Sequence, residues 1–332
     1  MKNRKMFGLV VLLFAVIVFS GTASAAGKKY GLFVGINKYV TSTELSGCVN
    51  DAMMMRQTLE TKFGFSRADN TLLTDAAATR DAIINNLKKY QAVAGKGDIF
   101  VFHYSGHGTL FPDKYSEDQD ETNLVYVEFY DPETKKTEVL APRGKYDSAI
   151  VPVDSDNNTS GKPWDNLILD DELSAIFAVF TQKGAQVVFI SDSCHSGTVG
   201  KAATSKDKVR MTPLAAALGF RRFDEIKFTE PATKRTSGFP VPVNGLYITL
   251  TGAKDDEFAL DAGGLPKPMG LFTYTLLRQI NSANGTRLSY EATMNIVRPA
   301  VARLAGDNPQ NPQIDGRYGN AKSVIFSLPS AL

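Results

Sequence analysis

The 332-residue chain predicts an α/β fold organised around a mostly parallel sheet. Three observations lead there. Short apolar runs alternate along the chain with segments whose apolar residues recur every three or four positions. Strands separated by helices of that length favour right-handed crossovers, which put helices on both faces of the sheet. Composition agrees: 43% hydrophobic and 22% charged residues suit a globular protein, 2 cysteines cannot form a disulfide scaffold, and 3 histidines leave little for a His-rich metal centre. A net charge of +2 without a long basic block argues against nucleic acid as a partner.

Residues 1–25 stand apart from the fold. Lys2, Arg4 and Lys5 precede an apolar run from Met6 to Phe19, and Ala23-Ser24-Ala25 supplies the small residues of a cleavage site. The run is too short for the roughly 20 residues that span a bilayer. A signal peptide is therefore expected, with a secreted or periplasmic product and no stable membrane span after its removal. Losing its three basic residues takes the net charge from +2 to −1.

The elements follow in order. Tyr30–Ile36 is an apolar run and a first strand. Ala52, Met55, Leu59 and Phe63 mark one face of a helix that Gly64 closes. Thr71–Leu73 is a second short strand, and Ile83, Leu87, Tyr90 and Ala94 repeat at helical spacing. Asp98–Tyr104 reads as a buried strand ending in the turn Ser105-Gly106-His107-Gly108. Leu173, Ile176, Phe177 and Phe180 mark a third helix before the strand Ala185–Ile190. A strand at Leu246–Leu250, helices at Leu271–Ile280 and Tyr290–Leu304, and a last strand at Ser323–Ser327 complete the pattern. Residues 110–165 are polar and partly strand-like at Val125–Tyr130. Residues 198–243 hold nine basic and four acidic residues. Neither stretch has a helical period, and both read as surface insertions.

Chemistry gathers at two strand ends. In open α/β sheets, sites form beyond the carboxyl ends of the strands. One candidate strand ends in Ser105-Gly106-His107-Gly108, the other in Ser191-Asp192-Ser193-Cys194-His195-Ser196-Gly197. A cysteine and a histidine so placed are the members of a thiol nucleophile and general acid/base pair, in which a nearby imidazolium favours the thiolate. His195 adjoins Cys194, and neighbouring side chains on extended backbone point apart. His103 lies inside an apolar strand, where a satisfied buried histidine is the plain reading. His107, in the glycine turn, is the better base. A buried structural role is the alternative for Cys194, and the more fitting one for Cys48.

The blocks HYSGHG at 103–108, SDSCHSG at 191–197 and GCVNDA at 47–52 together resemble the caspase-like cysteine peptidases, and most of all the metacaspase branch in its bacterial form. LTGAKDDEFALD at 250–261 and GLFTYTLL at 270–277 resemble the small-subunit half. The resemblance implies a caspase-like fold with about six sheet strands. It divides the chain into a large-subunit-like part at 26–197, a basic linker at 198–243 and a small-subunit-like part at 244–332. It implies His107 as acid/base, Cys194 as nucleophile forming a thioester, and the amides of Gly108 and Cys194 as oxyanion donors.

The resemblance further implies a pocket for the arginine or lysine of a protein or peptide substrate, lined by Cys48, Asp51, Ser105 and Asp192. Two carboxylates converging there repel unless a cation sits between them, and a guanidinium satisfies them with bidentate bonds. The plain alternatives are a first-turn helix acid for Asp51 and a loop hydrogen-bonder for Asp192. Calcium is implied at Asp170 and Asp171, with N-capping of the following helix as the alternative. Lys201 stands where a further acidic ligand is expected, which weakens an oxygen site; Asp147 is a less secure substitute. His107 and Cys194 are 87 residues apart, longer than the ~50 of caspases, an excess assigned to 110–146. The basic residues of 198–243 are candidate self-cleavage sites. A Cys48–Cys194 disulfide, silencing the nucleophile, is a further possibility for an exported chain. Two other readings stay open: a catalytically silent caspase-like binding module, and a peptidase of gingipain, clostripain or legumain type.

Overall fold

The computed structural model describes residues 27–39, 44–112, 125–131, 136–144, 146–155, 166–194, 207–210, 246–254, 257–262, 265–315 and 321–328. The expected signal segment and most of the basic linker lie outside the described residues. Strands β1 (Lys29–Gly35), β2 (Asn70–Thr74), β3 (Ile99–Ser105), β4 (Gln186–Asp192), β5 (Tyr247–Thr251) and β6 (Gln313–Asp315) form one sheet in the order β6-β5-β4-β3-β1-β2. All neighbours are parallel except β5 and β6. The helices are α1 (Cys48–Phe63), α2 (Arg80–Val93), α3 (Asp170–Gln182), α4 (Leu271–Ile280) and α5 (Tyr290–Ala305).

The alternation of strand side chains builds two cores. Leu32 and Val34 of β1, Phe100 and Phe102 of β3 and Val187 of β4 point to one face, against Leu87 of α2 and Phe177 of α3. Phe33, Val101 and Val188 point to the other, against Met55 of α1, Phe272 of α4 and Val297 of α5. Each such fully buried side chain contributes on the order of 1.5–3 kcal/mol, so a one-residue slip of β3 would exchange both cores at once. The helix ends follow the sequence: Gly64, at φ 71°, closes α1 with its amide on the Leu59 carbonyl, and Thr79 and Ser289 cap α2 and α5. Gly47 offers no side-chain cap to α1. Asn37, just beyond β1, does this instead, its Oδ1 accepting from the amides of Cys48 (2.8 Å) and Val49 (3.2 Å).

Two expectations are corrected. Ser323–Ser327 is not a strand. It is a turn touching Ser289 through one bridge at Val324, and Phe326, at φ 53°, tucks its ring beside Phe63 and Tyr290. The final strand among the described residues is Gln313–Asp315, whose single apolar residue leaves no period to read. Residues 110–165 carry more strand than expected. Val125–Asp131 pairs with Lys136–Gly144, and Gly108–Pro112, Tyr146–Ile150 and Ile168–Leu169 form a three-stranded sheet. A third small sheet joins Asp207–Val209, Leu260–Ala262 and Met269–Gly270, all antiparallel.

Candidate active site

Register brings the two chemical loops together. Gly35 pairs with Ser105, and Ser105 with Asp192, so the ends of β1, β3 and β4 lie side by side. Beyond β3 comes His107 and beyond β4 comes Cys194. The amides of Gly108 and Cys194 both donate to one oxygen, the carbonyl of Arg210, at 3.1 and 3.2 Å. The residue after His107 and the nucleophile candidate therefore meet at a single carbonyl group.

That carbonyl belongs to a residue expected in a surface loop, and Asp207–Arg210 corrects the expectation. Asp207–Val209 pairs antiparallel with Leu260–Ala262, the Arg210 amide donates to the Ala259 carbonyl at 3.1 Å, and Arg210 is 0% exposed. Its guanidinium fills the pocket that Asp51, Ser105 and Asp192 were expected to line. Nη1 donates to Ser105 Oγ at 2.7 Å and to the Asp192 carbonyl at 3.1 Å, with Asp192 Oδ2 at 3.3 Å. Nη2 donates to Asp51 Oδ2 at 2.8 Å and to Asp261 Oδ1 at 2.9 Å. Burial works against the Arg210 charge, but Asp192, Asp51 and Asp261 outweigh it and hold the guanidinium more firmly protonated than usual.

Each pocket wall is itself anchored. Asp51, in the first turn of α1, accepts from Ser105 Oγ at 2.8 Å and from the Gly270 amide at 3.0 Å. Burial pushes its carboxyl up to about 7, against the pull of Arg210. Asp192 Oδ2 accepts from the amide (2.9 Å) and hydroxyl (2.7 Å) of Thr273, in the first turn of α4. Gly270 must be glycine: a Cβ there would collide with Asp192 and Arg210. Cys48 lies buried at the start of α1, and burial raises its thiol well above the ordinary range.

The three histidines have different surroundings. His103 is fully buried, with Nε2 3.4 Å from Thr273 Oγ1, and burial lowers its pKa to about 3. His195 lies outside the described residues. His107 is held through its backbone on both sides. Its amide donates to Tyr39 Oη at 2.9 Å, its carbonyl accepts from Tyr104 Oη at 2.6 Å and from the Val151 amide at 3.1 Å, and the Tyr39 ring lies 4.5 Å from the imidazole, centre to centre.

Cys194 is 1% exposed. Its Sγ accepts from the Ala259 amide at 2.6 Å and donates to the Ala259 carbonyl at 3.4 Å. Burial pushes the thiol up to about 12. Cys48 and Cys194 are both free thiols.

Asp170 and Asp171 open α3, where Asp170 Oδ1 accepts from the Asp171 amide at 3.0 Å. The adjoining Glu172 pairs with Arg80 at 2.8 Å. Among the described residues no group of three or more acidic, His or Cys side chains is placed to hold a metal. Calcium takes six to eight oxygens, so the described residues do not fit a calcium site on their own. Lys201 lies outside the described residues, as does the side chain of Asp147.

Sequence reasoning missed Arg210, Asp261, Tyr39, Thr273 and the contact between Ala259 and the thiol. Asp261 ends the block LTGAKDDEFALD, so a signal was present without a role attached. Nothing local marks Arg210 among nine basic residues.

Residues 28–318 match the caspase domain. The chain is 34% identical to metacaspase-1 of Meyerozyma guilliermondii, over 92% of this chain and 73% of that one. It is 27% identical to metacaspase-9 of Arabidopsis thaliana, over 91% and 98% respectively. A crystal structure of a Geobacter sulfurreducens protein covers 91% of this chain and all of its own, with a TM-score of 0.60 at 25% identity. The chain belongs to the caspase-domain family and is a cysteine-type endopeptidase. Within that family it falls in the metacaspase branch. No helix among the described residues is long and apolar enough to cross a membrane.

Proposed function

We propose that the chain is an exported cysteine endopeptidase that cleaves after arginine or lysine, with Cys194 as nucleophile and His107 as general acid and base. One observation carries the reading: the Arg210 carbonyl oxygen accepts from the Gly108 and Cys194 amides while its guanidinium fills a pocket of carboxylates. This is the pose required of the residue on the acyl side of a scissile bond. The pairing of Asp207–Val209 with Leu260–Ala262 supports an extended substrate strand bound by its backbone.

In the proposed reaction the Cys194 proton passes to His107, and the thiolate adds to the carbonyl carbon. The oxygen takes the negative charge beside the two amides, each worth on the order of 3 kcal/mol to the transition state. His107 then protonates the departing amine as the C–N bond breaks, leaving a thioester on Cys194. Water, deprotonated by His107, attacks the thioester and releases a carboxylate and the free thiol. Three carboxylates in the pocket favour a cation and repel aspartate.

The chain's own Arg210–Met211 bond is the first substrate in this proposal. In the uncut state the thiol donates to the Ala259 carbonyl and burial disfavours the thiolate, so that hydrogen bond must break as the proton leaves for His107. Export rests on residues 1–25 and is checked by a mature protein beginning at Ala26. Because the described residues do not complete a calcium shell, no step runs through a metal; a calcium titration after chelation measures any stimulation.

The test is hydrolysis of fluorogenic peptides that differ only in a terminal Arg, Lys or Asp, with Cys194→Ala as control. Release from the basic peptides alone, absent in the variant, supports the proposal. Faster release after Asp, or activity that survives in Cys194→Ala, would overturn it.

A further inference from the structure

We infer that the Ala259 amide holds the Cys194 sulfur as a thiolate and that Gln310 positions that amide, an inference that rests on the reading of Cys194 as nucleophile. Ala259 turns both of its backbone polar groups to the site. Its N–H donates to Cys194 Sγ at 2.6 Å, and its carbonyl accepts from the Arg210 amide at 3.1 Å. While the sulfur carries its proton, the thiol also donates to that carbonyl at 3.4 Å. Once the proton has left for His107, only the N–H remains, a donor aimed at an anion. A hydrogen bond to an ionised acceptor is about twice as strong as one between neutral groups, so the bond strengthens as the charge develops. Burial, the largest influence, raises the thiol, and the Ala259 amide is the first of the groups that pull it back.

Gln310 fixes where that amide stands. Its side chain is 1% exposed and makes two bonds of opposite sense. Nε2 donates to the Gly252 carbonyl at 2.9 Å, and Oε1 accepts from the Leu260 amide at 3.2 Å. Gly252 is itself tied to the nucleophile's strand, its amide donating to the Ser191 carbonyl of β4 at 2.9 Å. Leu260 directly follows Ala259. One planar side-chain amide therefore sets the span between the end of β4 and the residue that faces the sulfur.

The next residue repeats the grip. Asn311 donates its backbone amide to Glu257 Oε2 and its Nδ2 to Glu257 Oε1, each at 2.6 Å, and Glu257 is buried. Phe258 and Ala259 pack with Ala253 and Cys194 in a small buried cluster of their own. Displacing the Ala259 amide would thus break polar bonds on both sides of it and open apolar contacts beneath it. Gln310 bonds neither Cys194 nor Arg210, so it acts through Ala259 as a positioning residue.

The test follows alkylation of Cys194 by iodoacetamide against pH, read by peptide mapping on full-length material of matched cleavage state. It compares wild type with Gln310→Met and with a protein carrying lactic acid at position 259. Methionine matches glutamine in length and removes both hydrogen bonds; lactic acid puts an ester in place of the amide and removes the N–H. In each variant the alkylation midpoint should rise by about one pH unit. The rate should then fall about tenfold below the wild-type midpoint and converge with wild type above both midpoints. Gln310→Asn, one methylene too short to span Gly252 and Leu260, gives the same comparison where Gln310→Met yields no folded protein. An unmoved midpoint in the ester protein would overturn the inference. So would a loss equal at every pH in the Gln310 variants, which is what a merely structural role produces. Alkylated Cys194 that still hydrolyses peptides would instead sink the nucleophile reading beneath it.

Discussion

Replacing Arg210 by alanine should turn a silent thiol into a reactive one. In the uncut chain the Cys194 thiol is pushed up to about 12 by burial. An ordinary cysteine titrates near 8.5. The difference means roughly three-thousandfold less thiolate at pH 7.5 than an open site would hold. The Arg210 guanidinium neutralises Asp51, Asp192 and Asp261; its charge also pulls the Cys194 thiol down, against burial and Asp192. Without that cation the three carboxylates repel, and a broken buried ion pair costs about 3–5 kcal/mol. Water then enters the pocket, and relief of burial, the largest influence on the thiol, outweighs the lost pull of Arg210, so the thiol falls toward its ordinary range. The assay is alkylation by iodoacetamide at pH 7.5, with peptide mapping to separate Cys194 from Cys48, on wild-type material whose mass shows it uncut. Cys194 should react at least about 100-fold faster in Arg210→Ala. Equal rates would show that Arg210 does not seal the nucleophile, and the reasoning would fail.

Three further outcomes follow from the same contacts. Tyr39→Phe removes the acceptor of the His107 amide and a donor to the Val151 carbonyl. A buried amide left unpaired costs about 1–3 kcal/mol, so kcat should fall about tenfold with KM unchanged; a change confined to KM would remove Tyr39 as a positioning residue. His103 is held neutral, its pKa lowered by burial to about 3, whereas the unfolded chain takes up that proton near 6.5. Its contribution to stability is therefore present above pH 6.5 and lost as the pH falls toward 3, by an amount on the order of 4 kcal/mol. Denaturant unfolding of His103→Phe should show a flatter loss across that window, and an unchanged acid slope would refute the assignment. Gly270→Ala should abolish cleavage while far-ultraviolet circular dichroism stays native, because its Cβ meets Asp192 and the seated guanidinium; full activity would contradict the pocket geometry.

The middle of the sheet was legible because β1, β3 and β4 are buried on both faces and the helices beside them carry clear periods. Asp51, Ser105 and Asp192 were legible through the resemblance to metacaspases, and the parallel sheet brings the element ends that carry them to one edge. Arg210 was not. Its partners Asp51 and Asp261 lie 159 and 51 residues away, and its burial comes from three carboxylates on three elements, not from any local pattern. Residues 323–327 misled for the opposite reason. Their apolar run is real, but Ile325 and Phe326 spend it filling the core beside α5 rather than pairing in the sheet. Tyr39 escaped notice because hydrogen bonds to a histidine's backbone leave no periodic trace.

The most direct measurement is intact-mass and N-terminal analysis of freshly purified protein beside Cys194→Ala. The account predicts a cut between Arg210 and Met211, producing a fragment that begins at Met211. The cut should proceed at a first-order rate independent of protein concentration and be absent from the variant. Wild type that stays uncut throughout the time course, a Cys194-dependent cut at another bond, or the same fragment from Cys194→Ala would contradict it.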